Sequence, residues 1–319
     1  MIKVGIVGCD HLCAAELVRI LINHPDVELM WVKGSCAVGT RLDSIVPGII
    51  GECDLAISGN VAAGEVDLIF LCGNRDMARA AEPSLALLPQ GVKVIDLSGS
   101  HNQDHGEDQP WKYGLGEMQR RVLVHDTRLV TVPGNASAAA LLALMPMARN
   151  LLLDSPLAIH VALGTMAFQD NCRMLDGMSP ADWARDQQQE VKLALQQCQT
   201  GFDQPVSLTV TPLVERRTLA VAAQFMCKAD IDEVRQLYEQ YYDDHNFVFM
   251  VDRPIHTADV ENTNKCLIYL DKDEHSGKLT VHAVMDLLLK GIAGTAVHAM
   301  NLLFGLHELA GLVLKATGC

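Results

Sequence analysis

The stretch Thr131-Val132-Pro133-Gly134-Asn135-Ala136-Ser137 leads out of the apolar run Leu129 to Val132 into an alanine-rich, helix-forming segment, Ala138 to Ala148. Where a strand passes into a helix, unpaired backbone N–H groups and the positive end of the helix dipole converge. A cysteine at such a junction is held as a thiolate and can attack an acyl group. The residue here is Asn135, which has no such chemistry. Asparagine is a favoured N-cap, so its side chain is expected to cap the helix; donation to an oxyanion is the alternative. Ser137 lies two residues on with no evident base.

Other residues able to do chemistry are scattered. Cys9, His11 and Cys13 share the turn after the first apolar run, but their spacing matches no standard zinc pattern. Asp10, in the same turn, is expected to cap the helix that follows. His101, Asp104, His105 and Asp108 fall in a polar, proline-terminated stretch read as an exposed loop with solvated side chains, so no metal site is expected. Arg217 and Lys290 suit a carboxylate or phosphate, and equally suit structural ion pairs.

The elements that position these residues follow from periodicity. In the first third, short apolar runs (Val4 to Val7, Leu29 to Val32, Leu68 to Cys72, Val92 to Ile95, Leu129 to Val132) alternate with helical patterns at Ala14 to Ile22 and Met77 to Leu88. That rhythm predicts an N-terminal doubly wound, Rossmann-like parallel sheet in an α/β fold. Ala14, Leu17, Val18 and Leu21 recur at helical spacing and give one apolar face. From about residue 157 longer strands appear: Leu157 to Leu163, Val206 to Thr211, Leu219 to Phe225, Cys266 to Asp271 and Leu279 to Val284. With helices at Asp182 to Gln197 and Ile231 to Tyr242, they predict an α+β second domain with a mostly antiparallel sheet. A last helix is expected over Met285 to Phe304.

The chain resembles the N-acetyl-γ-glutamyl-phosphate reductases of arginine biosynthesis, in the aspartate-semialdehyde dehydrogenase superfamily. The residues that carry this are Met1-Ile2-Lys3-Val4-Gly5-Ile6-Val7-Gly8, Ala15-Glu16-Leu17 with Asn23-His24-Pro25, Val94-Ile95-Asp96-Leu97-Ser98, Tyr113-Gly114-Leu115 with Glu117, Pro133-Gly134, and the run from Lys290-Gly291-Ile292-Ala293-Gly294 through Met300 to Leu306. Asn262-Thr263-Asn264-Lys265-Cys266 and Glu239-Gln240-Tyr241-Tyr242 resemble a subgroup acting on N-succinylated rather than N-acetylated substrates. The resemblance implies a dinucleotide-binding-type domain of residues 1–134 with 291–319 and a catalytic, dimerisation-type domain of 135–290. It implies NADPH-dependent reduction of an acyl phosphate to a semialdehyde, a homo-oligomer (dimer or tetramer), and an N-acylated amino acid as ligand.

The same resemblance implies a phosphate turn, a nucleophilic cysteine and a histidine acid. The turn is Gly8-Cys9-Asp10-His11-Leu12-Cys13-Ala14, where Gly8 and the small Ala14 keep the pattern while His11 replaces the middle glycine and Asp10 brings negative charge. Ser35 and Arg41 stand where the family greets the adenosine 2′-phosphate, and Lys290, Gly291 and Gly294 persist in the last helix. Asn135 holds the cysteine's place, and Gln187 or Arg185 the histidine's, Gln187 to Gln189 reading otherwise as a polar helix face. Leu163 to Gln169 replaces the family's glycine-rich carbonyl loop, with Met166 and Phe168 expected to fill it. Arg217 matches a substrate-side arginine. Departures at all the reacting positions together imply a homologue without the family's reduction, a pseudoenzyme for which NADP binding is doubtful. The alternatives are an active oxidoreductase with altered chemistry, with Cys172 as the thiol to test, and a non-catalytic subunit or ligand-binding protein beside an intact paralogue.

Bulk properties bound these readings. At 319 residues and 49% apolar composition, the chain is long enough for two cores. No apolar window reaches the length of a membrane span and no leader precedes the first strand, so no membrane partner is expected and the protein is placed in the cytoplasm. Ten scattered cysteines read as reduced thiols. A net charge of −14 without a basic stripe argues against nucleic acid.

Overall fold

The structure, a computed structural model, describes residues 1–104, 108–125, 127–168 and 177–317. The chain divides into two units, one of Met1–Pro133 with Ile292–Val313, the other of Gly134–Phe168 with Gly177–Gly291 and the chain from Leu314.

The first unit carries strands β1 (Ile2–Val7), β2 (Val27–Lys33), β3 (Leu68–Leu71), β4 (Lys93–Asp96), β5 (Trp111–Tyr113) and β6 (Leu129–Thr131), with helices α1 (Leu12–Leu21), α2 (Arg75–Leu85) and α3 (Gly116–Val124). The sheet runs β2-β1-β3-β4-β6-β5 with every pairing parallel. All four residues of β3 are buried, as a central parallel strand covered on both faces requires. The predicted face of α1 is the buried one, with Ala14, Leu17, Val18 and Leu21 all inside. Trp31 packs so tightly across the sheet that a Cβ on Gly5 would lie 2.2 Å from its ring. Strand β5, unread in the sequence, is three residues long at the sheet edge, too short to display a period.

His101 and Asn102 are a correction to the exposed-loop reading. They are 4% and 2% exposed, while Gln103, Asp104 and the stretch 108–110 are exposed and His105 lies outside the described residues. The His101 ring stacks on Trp111 at 3.9 Å, and its Nδ1 lies 2.9 Å from Asp96 Oδ2 and 2.8 Å from the Ser100 hydroxyl. The Thr131 hydroxyl donates to Asn102 Oδ1 at 2.6 Å. Long-range partners draw these polar residues in, which local composition does not reveal.

The second unit carries α4 (Asn135–Arg149), β7 (Leu157–Gly164), α5 (Pro180–Cys198), β8 (Val206–Leu213), β9 (Thr218–Met226), α6 (Ile231–Tyr242), β10 (Val248–Met250), β11 (Cys266–Asp273) and β12 (Lys278–Asp286). The sheet order is β10-β11-β12-β9-β7-β8, antiparallel in its three inner pairings and parallel in the two outer ones. Helix α4 is buried from Asn135 to Ala148, which accounts for its alanine-rich, faceless sequence. Pro146 inside it has no N–H to give the Leu142 carbonyl. The Tyr242 hydroxyl of α6 donates to that oxygen instead, and Tyr238 donates to the next carbonyl, of Ala143.

The expected helix from Met285 begins later. Met285 and Asp286 still pair with Leu219 and Thr218, so β12 holds them in the sheet. The Asp286 carboxylate then accepts the N–H groups of Leu288 and Leu289, each at 2.9 Å, and turns the chain. A π-helical turn over Leu289–Ala293 follows, and α7 (Gly294–Leu303) returns to the first unit, where it packs on α1 and α3.

Candidate active site

Gly134, not Asn135, is the N-cap of α4, with φ −56° and ψ 141°; Asn135 is the first helical residue. Its Oδ1 accepts the N–H of the adjacent Ala136 at 2.7 Å. Two further N–H groups at the helix start are taken by α5. The Ser137 N–H donates to Gln187 Oε1 at 3.2 Å, and the Gly134 N–H donates to Glu190 Oε1 at 2.9 Å. The Ser137 hydroxyl donates to the Gln187 carbonyl and to Oε1, both at 3.2 Å, and Gln187 Nε2 donates to Glu190 Oε2 at 3.5 Å. Gln187 and Glu190 are three residues apart, which puts them on one helix face.

Asn135, Ser137, Gln187 and Glu190 are all at most 5% exposed. Gln187 is therefore no part of a solvated face, as its polar neighbours suggested; only Gln189 of that trio is exposed. A Cβ on Gly134 would lie 2.3 Å from the Gln187 amide, so the glycine is needed for this close approach. Arg185 points elsewhere, exposed and paired with Asp182 at 2.6 Å. The carbonyl-loop segment forms a 3-10 turn, Thr165–Phe168, in which Ala167 is buried while Met166 and Phe168 are only half-buried. Glu190 went unread as a partner of the turn; its spacing from Gln187 was the only sequence signal.

Arg217 makes a two-armed pair with Asp286, Nε to Oδ2 at 3.0 Å and Nη2 to Oδ1 at 3.1 Å. Asp286 is fully buried and also accepts the Asn262 N–H at 2.8 Å. Arg217 is thus engaged by a buried carboxylate. Lys290 is fully buried, its ammonium 5.4 Å from the Phe247 ring centroid. A Cβ on Gly291 would meet the Asp286 carbonyl oxygen at 3.2 Å and the Asn135 Cβ at 3.5 Å, so Gly291 lies against the Asn135 turn. Gly294 opens α7 and is buried.

In the first unit, Gly8 has φ +83°, and a Cβ on it would lie 2.6 Å from the Gly73 nitrogen, so only glycine suits this turn. His11 occupies the N-cap of α1 without a side-chain capping bond, and Ala14 is buried. Asp10 does not cap the helix. Its carboxylate accepts the Ser35 hydroxyl in a short contact and the Ser35 N–H at 3.3 Å. Burial pushes the Asp10 pKa up, but the hydrogen bonds from Ser35 and from backbone N–H groups, with the charge of His11, together hold it below the usual value. Arg41 is paired on the surface with Asp43 at 2.6 Å and Asp54 at 3.3 Å. Exposed pairs of this kind hold weakly and can be exchanged.

Burial pushes the Cys9 thiol up to about 12 and raises Cys72, Cys198 and Cys227 as well. These thiols stay protonated near neutral pH, the reverse of an activated nucleophile. Cys172 lies outside the described residues. Among the described residues no group of His, Cys, Asp and Glu could hold a metal ion, and no helix is long and apolar enough to cross a membrane.

A parallel nucleotide-type sheet followed by a mixed sheet, with a strand-to-helix junction between their sequences, is the architecture of the semialdehyde dehydrogenases. Residues 3–125 match the semialdehyde dehydrogenase NAD binding domain, and residues 185–286 match the semialdehyde dehydrogenase dimerisation domain. Aspartate semialdehyde dehydrogenase II from Vibrio cholerae, solved with ASA, shares the fold with a TM-score of 0.75 at 14% identity, over 96% of this chain and 98% of that one. The aspartate semialdehyde dehydrogenase from Candida albicans, solved with NADP, has a TM-score of 0.70 at 12% identity, over 95% and 98%. Within this class, the N-acetyl-gamma-glutamyl-phosphate reductases of Parabacteroides distasonis and Phocaeicola vulgatus are 34% and 33% identical to the chain, each over 99% of both sequences. The chain belongs to the N-acetyl-gamma-glutamyl-phosphate reductase family.

Proposed function

We propose that this chain keeps the framework of the acyl-phosphate reductases without their cysteine-dependent reduction, and acts as a ligand-binding or partner subunit. The observation that carries this reading is the filled junction at Asn135. An amide stands at the start of α4, and Gln187 and Glu190 already take the Ser137 and Gly134 N–H groups there. A thiolate or oxyanion needs donors of that kind. Gln187 offers no proton of suitable acidity to a tetrahedral intermediate.

The turn after β1 matches a site for NADP only in part. Gly8 and Ala14 suit a nucleotide turn, but an ionised Asp10 repels a pyrophosphate, and its bonds with Ser35 occupy a group that would greet a 2′-phosphate. The turn does not fit the cofactor, and weak or absent NADPH binding follows. A cytoplasmic homo-oligomer is in keeping with the matched dimerisation domain, and an intact paralogue would supply a catalytic partner.

A thermal-shift panel with NADPH, NADH, N-acylated glutamates and N-acylated ornithines tests the reading. A shift with an N-acylated amino acid and none with NADPH is expected. A saturable NADPH shift of several degrees, as tight ligand binding produces, would remove the cofactor half of the proposal.

A further inference from the structure

Two cysteines in the first unit lie beside one another where nothing in the reduction needs them. Cys13 is the second residue of α1 and is half-exposed; Cys72 directly follows β3 and is fully buried. The tight turn at Gly8 seats the start of α1 over the end of β3, a Cβ on Gly8 falling 2.8 Å from the Cys72 carbonyl carbon. Cys13 Sγ consequently lies 3.8 Å from the Cys72 carbonyl oxygen, its thiol donating to that oxygen. The arrangement sets a half-exposed sulfur against the backbone of a residue that is itself fully buried.

We propose that Cys13 and Cys72 are a peroxide-sensitive pair that closes to a disulfide, tying the first turn of α1 to the end of β3. The reaction has two balanced steps. Cys13 sulfur attacks one oxygen of hydrogen peroxide, giving Cys13 sulfenic acid and water. Cys72 sulfur then displaces that hydroxyl, forming the S–S bond and releasing a second water, with the Cys72 proton leaving on the departing oxygen. Peroxide takes the two electrons that the thiols lose. Burial raises Cys72 and slows its attack, but its place beside Cys13, whose sulfur rests on the Cys72 carbonyl, gives it an effective concentration no solution thiol can match. Cys9 and Cys36 are the competing pair in the same region. Cys9 is fully buried with its thiol pushed up to about 12, so it offers peroxide no approachable sulfur.

Peptide mapping of the full chain decides the matter. Reduced protein is treated with hydrogen peroxide, alkylated under denaturing conditions, digested and read by mass spectrometry. The expected product is a Cys13–Cys72 linked peptide, with both alkylated forms lost together, and Cys13→Ser should leave Cys72 fully alkylatable after the same treatment. A dominant Cys9–Cys36 link, Cys13 advancing to sulfinic acid beside an intact Cys72, or no oxidation of either thiol would each overturn the proposal. Cys13 is half-exposed, so its serine variant keeps the comparison open if Cys72→Ser does not fold.

Discussion

Gln187 Oε1 accepts both the N–H and the hydroxyl of Ser137, each at 3.2 Å, with both residues buried. One amide from α5 thereby closes the N-terminus of α4 at the place where a reductase of this family exposes a thiol. Glu190 completes the closure on Gly134. Replacing Asn135 alone leaves these contacts in place. Asn135→Cys is therefore expected to gain no measurable reduction of an N-acyl-γ-glutamyl phosphate. Stopped-flow or steady-state NADPH absorbance checks this, and appreciable turnover by the single variant would show that Gln187 and Glu190 do not obstruct.

Arg217 and Asp286 should behave as a structural pair. Removing one partner of a buried pair costs about 3–5 kcal/mol, but Asp286 retains three backbone donors, so Arg217→Ala is expected at or below the lower end, roughly 2–3 kcal/mol. Urea denaturation measures it. A variant with unchanged stability would return Arg217 to a ligand-facing role.

Tyr242→Phe tests the device that lets Pro146 sit inside α4. The change strands the Leu142 carbonyl in a buried setting, a loss of about 1–3 kcal/mol. Tyr238→Phe should cost less, because the Ala143 carbonyl still faces the backbone N–H of Met147. Equal midpoints for the two variants in urea would contradict this account.

Acid should weaken the fold in two stages. Burial lowers the His24 and His282 pKa values below the ordinary 6.5, so between the folded values and 6.5 the unfolded chain binds more protons. Their contribution is whole above 6.5 and is lost as pH falls through the folded values. Glu308, held down chiefly by its hydrogen bond with His298, adds a second loss below its ordinary 4.5. Urea midpoints should fall from about pH 7.5 to about pH 5.5 and fall again on further acidification. A midpoint unchanged over the first interval would mean that neither histidine is proton-linked to folding.

Repeating apolar patterns made both sheets legible, since Val4 to Val7 or Leu219 to Phe225 carry their burial in their own spacing. Helix α6 has the predicted bounds because Asp230 and Glu233 close a capping box at its start. What escaped depended on distant partners. His101 is buried by Trp111 and Asp96, Gln187 by the turn at Gly134, and the late start of α7 is set by the β12 register with β9. At Asn135 the residue type was legible but its place was not, since capping by α5 leaves Gly134 at the cap.

Loss of the cysteine-dependent reduction is read directly from NADPH oxidation by the purified wild-type chain with an N-acyl-γ-glutamyl phosphate, beside an intact relative as positive control. No oxidation above the enzyme-free rate is expected. Turnover in the ordinary enzymatic range, about 1 per second or faster, would contradict it.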